Sequence, residues 1–468
     1  MVNCEIDARS LLAAPSTPRS GIRFVSRHLL PAVSSVLLLT ASMTVRAADD
    51  ASDPAAADTA VAADTVSTEA EGAPVVPAGP DPKSSDPVER GHYLALAGNC
   101  ATCHTVEGGE TLAGGLPFKT PFGTLYSTNI TPDAETGIGN WTEQQFADAM
   151  RKGVRPDGQH LYPAFPYTAF TKLTDEDVSA LYAYLKTVPA VNAPAPANEL
   201  SFPANQRWAM GIWKMLFFTE GRFAANSSKS EEWNRGAYLV DGLGHCSSCH
   251  SPRNFLGAEK TDAALTGGEY TDKVATGELR AWSAPNLTSA PNGLGSWPLE
   301  DLTAYLHTGR NSFTDTYGPM NEVIMNSTRH MTEADVRAMA TYLKDVPANP
   351  GNLGSPPSDD VKLAGSNLYD VHCGTCHLPT GLGQDNEDGG ARLTGNPVVQ
   401  ASNPASLINV ILYGPQLPNP PLPKRWKHME AFGDKFTDEE VAALTSFLRS
   451  NWDNQGGAVT AGQVAKQR

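Results

Sequence analysis

Cysteine is scarce in this 468-residue chain, and its scarcity is patterned. There are seven, of which six fall in three copies of C-x-x-C-H and the seventh, Cys4, lies in a leader expected to be removed. No thiol is therefore left over for a disulfide framework. A structural zinc site is excluded as well, because the C-x-x-C pairs stand far apart and none is followed by the H-x-x-x-H that zinc spacing requires. Positive charge is also short. Lys and Arg number 35 against 51 Asp and Glu, and beyond Ala47 the balance is 30 to 49, a net charge of −19. Nucleic acid is thereby excluded as a natural partner, and the acidity serves solubility or steering toward a basic redox partner. Past the leader no apolar run is long enough to span a bilayer. There is no G-x-G-x-x-G before a helix, no H-E-x-x-H and no Ser-His-Asp arrangement with a recognisable elbow, so dinucleotide binding, metalloprotease and hydrolase chemistry have no support.

What is present is the motif itself, at Cys100-Ala101-Thr102-Cys103-His104, Cys246-Ser247-Ser248-Cys249-His250 and Cys373-Gly374-Thr375-Cys376-His377. C-x-x-C-H is the attachment pattern of c-type haem. On one helical turn the two thiols project to one side, where each can add to a haem vinyl group, and the following imidazole reaches the iron. The expected cofactor is three covalently bound haem c, with the cysteines as tethers and His104, His250 and His377 as iron ligands.

Arg9, Arg19, Arg23 and Arg27 precede an apolar run from Leu29 to Val45, and Val45-Arg46-Ala47 has the form of a cleavage site, so residues 1–47 read as a signal peptide. An uncleaved anchor is the competing reading, opposed by the short run and by Pro31. Export agrees with haem attachment outside the cytoplasm and places the chain on the periplasmic face of a bacterial inner membrane. Residues 48–85 are almost wholly Ala, Asp, Pro, Thr, Val, Gly, Glu and Ser and read as a disordered spacer.

Beyond it the chain repeats. Each copy opens with a helix bearing a glycine (Gly91, Gly236, Gly365) and closes with Thr174-Asp175-Glu176-Asp177, Thr332-Glu333-Ala334-Asp335 or Thr437-Asp438-Glu439-Glu440 before an apolar stripe, which reads as three capping boxes. A middle helix ends at Gly153, Gly309 and Gly414. This order resembles class I cytochrome c, where the small glycine lets first and last helices cross beside an aromatic such as Tyr184, Tyr342 or Phe447. The expected fold is all-α: domains at 86–192, 229–348 and 359–455, an aromatic linker at 193–228 and a flexible tail at 456–468.

A class I domain takes its sixth iron ligand from a methionine before the last helix. Gly318-Pro319-Met320 is the candidate in the second copy, because proline's fixed φ holds the turn, with Met325 and Met331 competing. In the third copy Met429 is the only methionine after the haem motif, and His428 is the alternative. Thioether ligation would raise the potential of both haems. The first copy reads Leu161-Tyr162-Pro163-Ala164-Phe165-Pro166-Tyr167 and has no such methionine. Met150 reads as core there, and His160 or an open iron remains.

Residues 86 to 455 resemble the triheme cytochrome c subunit of membrane-bound periplasmic dehydrogenases, such as the alcohol, gluconate, sorbitol and aldehyde dehydrogenases of oxidative bacteria. The likeness rests on the haem motifs, on Thr128-Asn129-Ile130-Thr131-Pro132-Asp133 with Thr136-Gly137-Ile138-Gly139, on Ala284-Pro285-Asn286-Leu287-Thr288, and on the Tyr-Pro-Ala-x-Pro-Tyr loop, where Phe165 stands at a position many relatives fill with methionine. The resemblance implies an electron relay from a dehydrogenase catalytic subunit, whether quinoprotein, flavoprotein or molybdoprotein, to ubiquinone or a terminal oxidase. This chain would supply wiring and no catalytic residues. The competing reading is a haem enzyme, a peroxidase or reductase, working at an open haem one. In the linker, Trp208, Met210, Ile212, Trp213, Met215, Leu216, Phe217, Phe218 and Phe223 suit a membrane surface, a partner subunit, or a clamp between the first two domains.

Overall fold

The computed structural model describes residues 80–468. The expected signal peptide and most of the spacer lie outside the described residues. Within them the chain builds the same helical arrangement three times. The first module holds α1 (Pro87–Ala97), α2 (Cys100–His104), α3 (Glu143–Lys152), α4 (Tyr167–Phe170) and α5 (Asp175–Leu185); α6 (Ala209–Phe217) follows in the linker. The second holds α7 (Glu231–Tyr238), α8 (Ser247–His250), α9 (Leu299–Thr308), α10 (Met320–Asn326) and α11 (Glu333–Asp345), and the third α12 (Asp359–His372), α13 (Gly374–His377), α14 (Ala405–Tyr413), α15 (Asp438–Ser450) and α16 (Ala461–Ala465).

The fold is helix-rich, as expected, with a small amount of sheet that an all-α reading leaves out. Short strands β1 (Pro117–Thr120), β2 (Gly123–Tyr126) and β3 (Glu199–Leu200) form an antiparallel sheet, and β4 (Gly268–Lys273) pairs with β5 (Leu279–Ala284) in a hairpin that sets Tyr270 opposite Trp282. In the first two modules β1, β2, β4 and β5 lie between the haem motif and the middle helix, whereas β3 follows the closing helix α5. They are short, from two to six residues.

In each module the first and last helices cross at a glycine. A Cβ at Gly91 would overlap Ala180 O and stand 2.7 Å from Tyr184 Cβ; at Gly236 it would overlap Ala338 O and stand 2.9 Å from Tyr342 Cβ; at Gly365 it would overlap Ala443 O and stand 2.6 Å from Phe447 Cβ. The backbones touch where any side chain would hold them apart. The aromatic ring of the closing helix covers the contact, as expected, and Tyr184 stacks on His92 at 4.8 Å.

The three closing helices are not capped alike. Thr437 and Glu440 make a reciprocal capping box, but at α5 and α11 only Thr174 and Thr332 cap, receiving Asp177 N and Asp335 N. An aspartate is too short to reach back to the cap N–H as glutamate does. Asp177 and Asp335 turn sideways instead. Asp335 accepts from Arg235 at 2.8 and 2.6 Å and from Tyr93 Oη of the first module at 2.6 Å, while Asp177 accepts from Arg90 at 2.5 Å and from Tyr238 Oη of the second. Each of the two modules thus gives a tyrosine hydroxyl to the other's capping aspartate. Burial works against the Asp335 charge, but the Arg235 hydrogen bonds offset it and hold the carboxyl below its usual range. Around this exchange the first two modules share one core, with Tyr93, Leu94, Phe146, Leu181, Tyr238, Leu243, Leu306 and Val336, whereas the third packs its own around Tyr369, Ile408, Val441 and Leu444.

Residues 456–468 are not a flexible tail. They form α16, with Val464 fully buried, and Arg280 of the second module donates to the carbonyls of Gln467 and Arg468. Arg449 is buried and donates to Gly457 O at 3.0 Å and Ala401 O at 2.6 Å, which ties the segment down. The linker helix α6 acts as a clamp on its inner face. Trp213 is buried against Tyr167 and donates to Leu256 O of the second module at 3.0 Å.

Gly236→Ala forces the α7 and α11 backbones apart and is expected to destabilise the protein by about 1–3 kcal/mol, the usual cost of overpacking. Denaturant unfolding checks this, and an unchanged midpoint would contradict the close crossing.

Candidate haem crevices

Each C-x-x-C-H motif sits at the end of its module's first helix, on a turn that redirects the chain. Asn99 and His245, directly before the first cysteine of their motifs, have positive φ of 52° and 38°, and Asn99 Oδ1 accepts from Thr102 Oγ1 at 2.6 Å. All six motif cysteines are half-buried and none is joined in a disulfide. Burial pushes Cys100 and Cys249 up to about 11 and Cys103, Cys246 and Cys373 up to about 12, so these thiols are neutral and poor nucleophiles. Their surroundings suit thioether tethers.

The histidines are held alike. His104 Nδ1–H donates to Thr128 O at 2.7 Å, His250 Nδ1–H to Pro285 O at 2.8 Å and His377 Nδ1–H to Ala391 O at 2.7 Å. A carbonyl only accepts, so the proton sits on Nδ1 and the Nε2 lone pair is left for a metal. Burial lowers all three imidazoles, which keeps them neutral and able to ligate. In the third module the ring is packed so closely that a Cβ at Gly390 would stand 2.9 Å from His377 Cε1.

The motifs singled out in the sequence supply two of those carbonyls, Thr128 O and Pro285 O. Thr128 precedes Asn129, which is buried; its Oδ1 accepts from Thr131 N at 2.9 Å and its Nδ2 donates to Val191 O at 2.7 Å. Pro285 precedes Asn286, whose Oδ1 accepts from Thr288 N at 2.8 Å and whose Nδ2 donates to Asn349 O at 2.8 Å. Each asparagine ties its loop to the segment after the closing helix and so fixes the carbonyl that orients the imidazole. Sequence reasoning found these residues only as family markers; their role needed the carbonyl–histidine contact.

On the opposite side the modules differ. Met320 starts α10, is partly buried and packs against the shared core. Met331 is buried in that core, and Met325 Sδ accepts from Arg329 at 3.2 Å. Gly318, at φ 64°, faces Trp282, where a Cβ would stand 2.8 Å from the indole, and Gln416 O of the third module accepts from Gly318 N and Asn321 Nδ2, both at 2.8 Å. Met429 packs against the third module's core while His428 is exposed. His160 lies under α6, with Lys214 Nζ 3.3 Å from its Nδ1. Met150 is buried on α3, the core position expected for it.

The first motif touches the second module directly. Asn326, at the end of α10, donates to Thr102 Oγ1 at 2.9 Å, and Cys249 and Glu322 are near enough to Cys103 to raise it electrostatically. Helix α10 therefore begins at Met320 and ends on the first motif, a span of about 10 Å at 1.5 Å per residue.

Comparison with known proteins agrees with this geometry. The Cytochrome c family model matches residues 88–189 and 234–347, and the model of cbb3-type cytochrome c oxidase subunit III matches 361–448. The fructose dehydrogenase cytochrome subunit of Gluconobacter japonicus is 40% identical over 430 residues, 84% of this chain and 85% of that one. The chain belongs to the family of dehydrogenase cytochrome c subunits. The cytochrome c subunit of alcohol dehydrogenase (quinone) from Gluconobacter oxydans (strain 621H) is 38% identical over 401 residues, 81% of this chain and 82% of that one. The gluconate 2-dehydrogenase cytochrome c subunit of Pantoea cypripedii is 37% identical over 404 residues, 81% and 89% respectively. As a dehydrogenase cytochrome c subunit the chain carries covalently bound haem c and works in electron transport.

Gly390→Ala is expected to push the His377 imidazole off its carbonyl and to shift the electron paramagnetic resonance signal of one haem while haem content holds. An unaltered spectrum would show that the close packing has no part in orienting the ligand.

Proposed function

We propose that the chain is a triheme relay built of three tandem class I cytochrome c domains, with haem c attached at Cys100 and Cys103, Cys246 and Cys249, and Cys373 and Cys376. His104, His250 and His377 are the proximal ligands, and Met320 and Met429 the distal ligands of haems two and three. The threefold recurrence of the Nδ1–carbonyl hydrogen bond is the observation that carries this reading. The haems take electrons from the catalytic subunit of a dehydrogenase, whose cofactor is a bound quinone, a flavin or a molybdenum centre. They pass them to ubiquinone or a terminal oxidase. Haem supplies the redox chemistry when bound; this chain's residues tether it, set its axial field and bring the motifs together. The contact of α10 with the first motif is one protein connection between haems one and two.

The leader sends the chain to the periplasm, and we place it on the periplasmic face of the inner membrane. No helix among the described residues is long and apolar enough to cross a membrane. The outer face of α6 makes the attachment. Trp208, Ile212, Met215 and Leu216 lie at i, i+4, i+7 and i+8 with exposures of 67%, 49%, 76% and 60%, and Phe202 nearby is 80% exposed. Residues 200–219 contain no acidic side chain, and Arg207 and Lys214 give them a net positive charge. Such a stripe fits the interfacial layer of a bilayer.

Purification of the native complex through this subunit is expected to yield a stoichiometric dehydrogenase carrying one of those cofactors; a partnerless protein would overturn the relay. Replacement of Trp208, Ile212, Met215 and Leu216 by serine is expected to cut binding to phosphatidylglycerol-containing vesicles at least ten-fold, since each buried apolar side chain contributes roughly 1.5–3 kcal/mol. Unchanged flotation would assign attachment elsewhere.

A further inference from the structure

The loops that precede the closing helices of the first two modules can be aligned by their hydrogen bonds. In the second module Thr316 N donates to Gly309 O at 2.7 Å, and in the first Leu161 N donates to Gly153 O at 2.9 Å. Both glycines end the middle helix with positive φ, and both loops carry a bridge just before this point, Val154 with His160 and Arg310 with Asp315. Counted from these equivalent bonds, the fourth residue on is Met320 in one module and Phe165 in the other. A phenyl ring has no lone pair to offer iron.

None of its neighbours is placed to substitute. Pro163, Ala164 and Pro166 have no side-chain donor. Tyr162 lies under the Arg207 guanidinium at 4.8 Å, and Tyr167 is fully buried between Trp213 and Phe218. The His160 imidazole faces Lys214 through Nδ1, and Gly211 backs its Nε2 so closely that a Cβ there would stand 3.1 Å away. Met150 is buried on α3, and Met210 packs in the cluster of Trp213 and Tyr167 that Phe165 also joins. Phe165 itself packs edge-on to Phe170 at 5.4 Å, which gives this side of the crevice an apolar wall.

We propose that the first haem, alone among the three, has no protein ligand on its distal side and binds a small neutral diatomic ligand such as carbon monoxide there, against Phe165. This rests on the triheme reading above. An apolar wall without a hydrogen-bond donor favours a neutral diatomic over cyanide or azide. Without a thioether the first haem has the lower potential expected of such ligation, so it acts as donor to the second haem across α10.

The test uses the holoprotein reduced with dithionite, with haem content counted first by the pyridine haemochrome. Carbon monoxide is expected to bind one haem in three. Phe165→Met is expected to abolish that uptake and to raise the near-infrared thioether–iron band of the oxidised protein by about half, while Met320→Phe doubles the uptake. Absence of uptake by the wild-type protein with three haems attached would overturn the proposal and leave the relay standing, as would uptake indifferent to Phe165→Met. If His160→Ala or Lys214→Ala creates uptake in such an unreactive protein, the true ligand is identified. Fewer than three haems would overturn the triheme reading, and a bare first motif this proposal with it.

Discussion

The close crossing of the first and last helices in each module is the constraint from which the rest follows. At Gly91, Gly236 and Gly365 backbone meets backbone, so the distance and angle between the helices have little freedom. The first helix delivers the haem motif at its end, and the last receives the loop that faces it. Both sides of each crevice are therefore positioned by one van der Waals contact that only glycine permits.

Around that contact the protein keeps one side of each crevice constant and varies the other. All three histidines are neutral, Nδ1-protonated and tied to a main-chain carbonyl, and in two modules a buried asparagine holds that carbonyl. The opposite loops differ in length, in the side chain they present and in what supports them, since Gln416 of the third module braces the second module's loop. A relay needs secure attachment at every haem but different potentials along the path, and axial ligation is a lever that tunes one without disturbing the other.

The modules are not independent beads. Asp177 and Asp335 occupy the third position of a capping sequence yet serve the neighbouring module, and the aromatic hydroxyls they bind, Tyr238 and Tyr93, sit on the helices that carry the haem motifs. One buried exchange thus aligns two crevices at once. The third module joins differently, through hydrogen bonds between side chain and main chain such as the mutual bonds of Ser283 and Ser406 and through the C-terminal segment held by Arg280. Its separate core is consistent with that looser integration.

The sequence by itself determined the C-x-x-C-H motifs, the crossing glycines with their aromatic covers and the N-terminal caps. These are local: a covalent motif, a missing side chain or a threonine before a helix acts within a few residues of itself. The sequence suggested three equal capping boxes, an all-α fold, a free tail and an undecided linker. Tertiary structure alone decided that two acidic caps face a partner module, that inserted segments pair as short strands, that Val464 is buried, and that α6 clamps with one face while exposing the other. Each depends on what lies opposite in space, where a carboxylate finds an arginine or an apolar side chain finds a neighbouring module, and periodicity along the chain does not encode the identity of that neighbour.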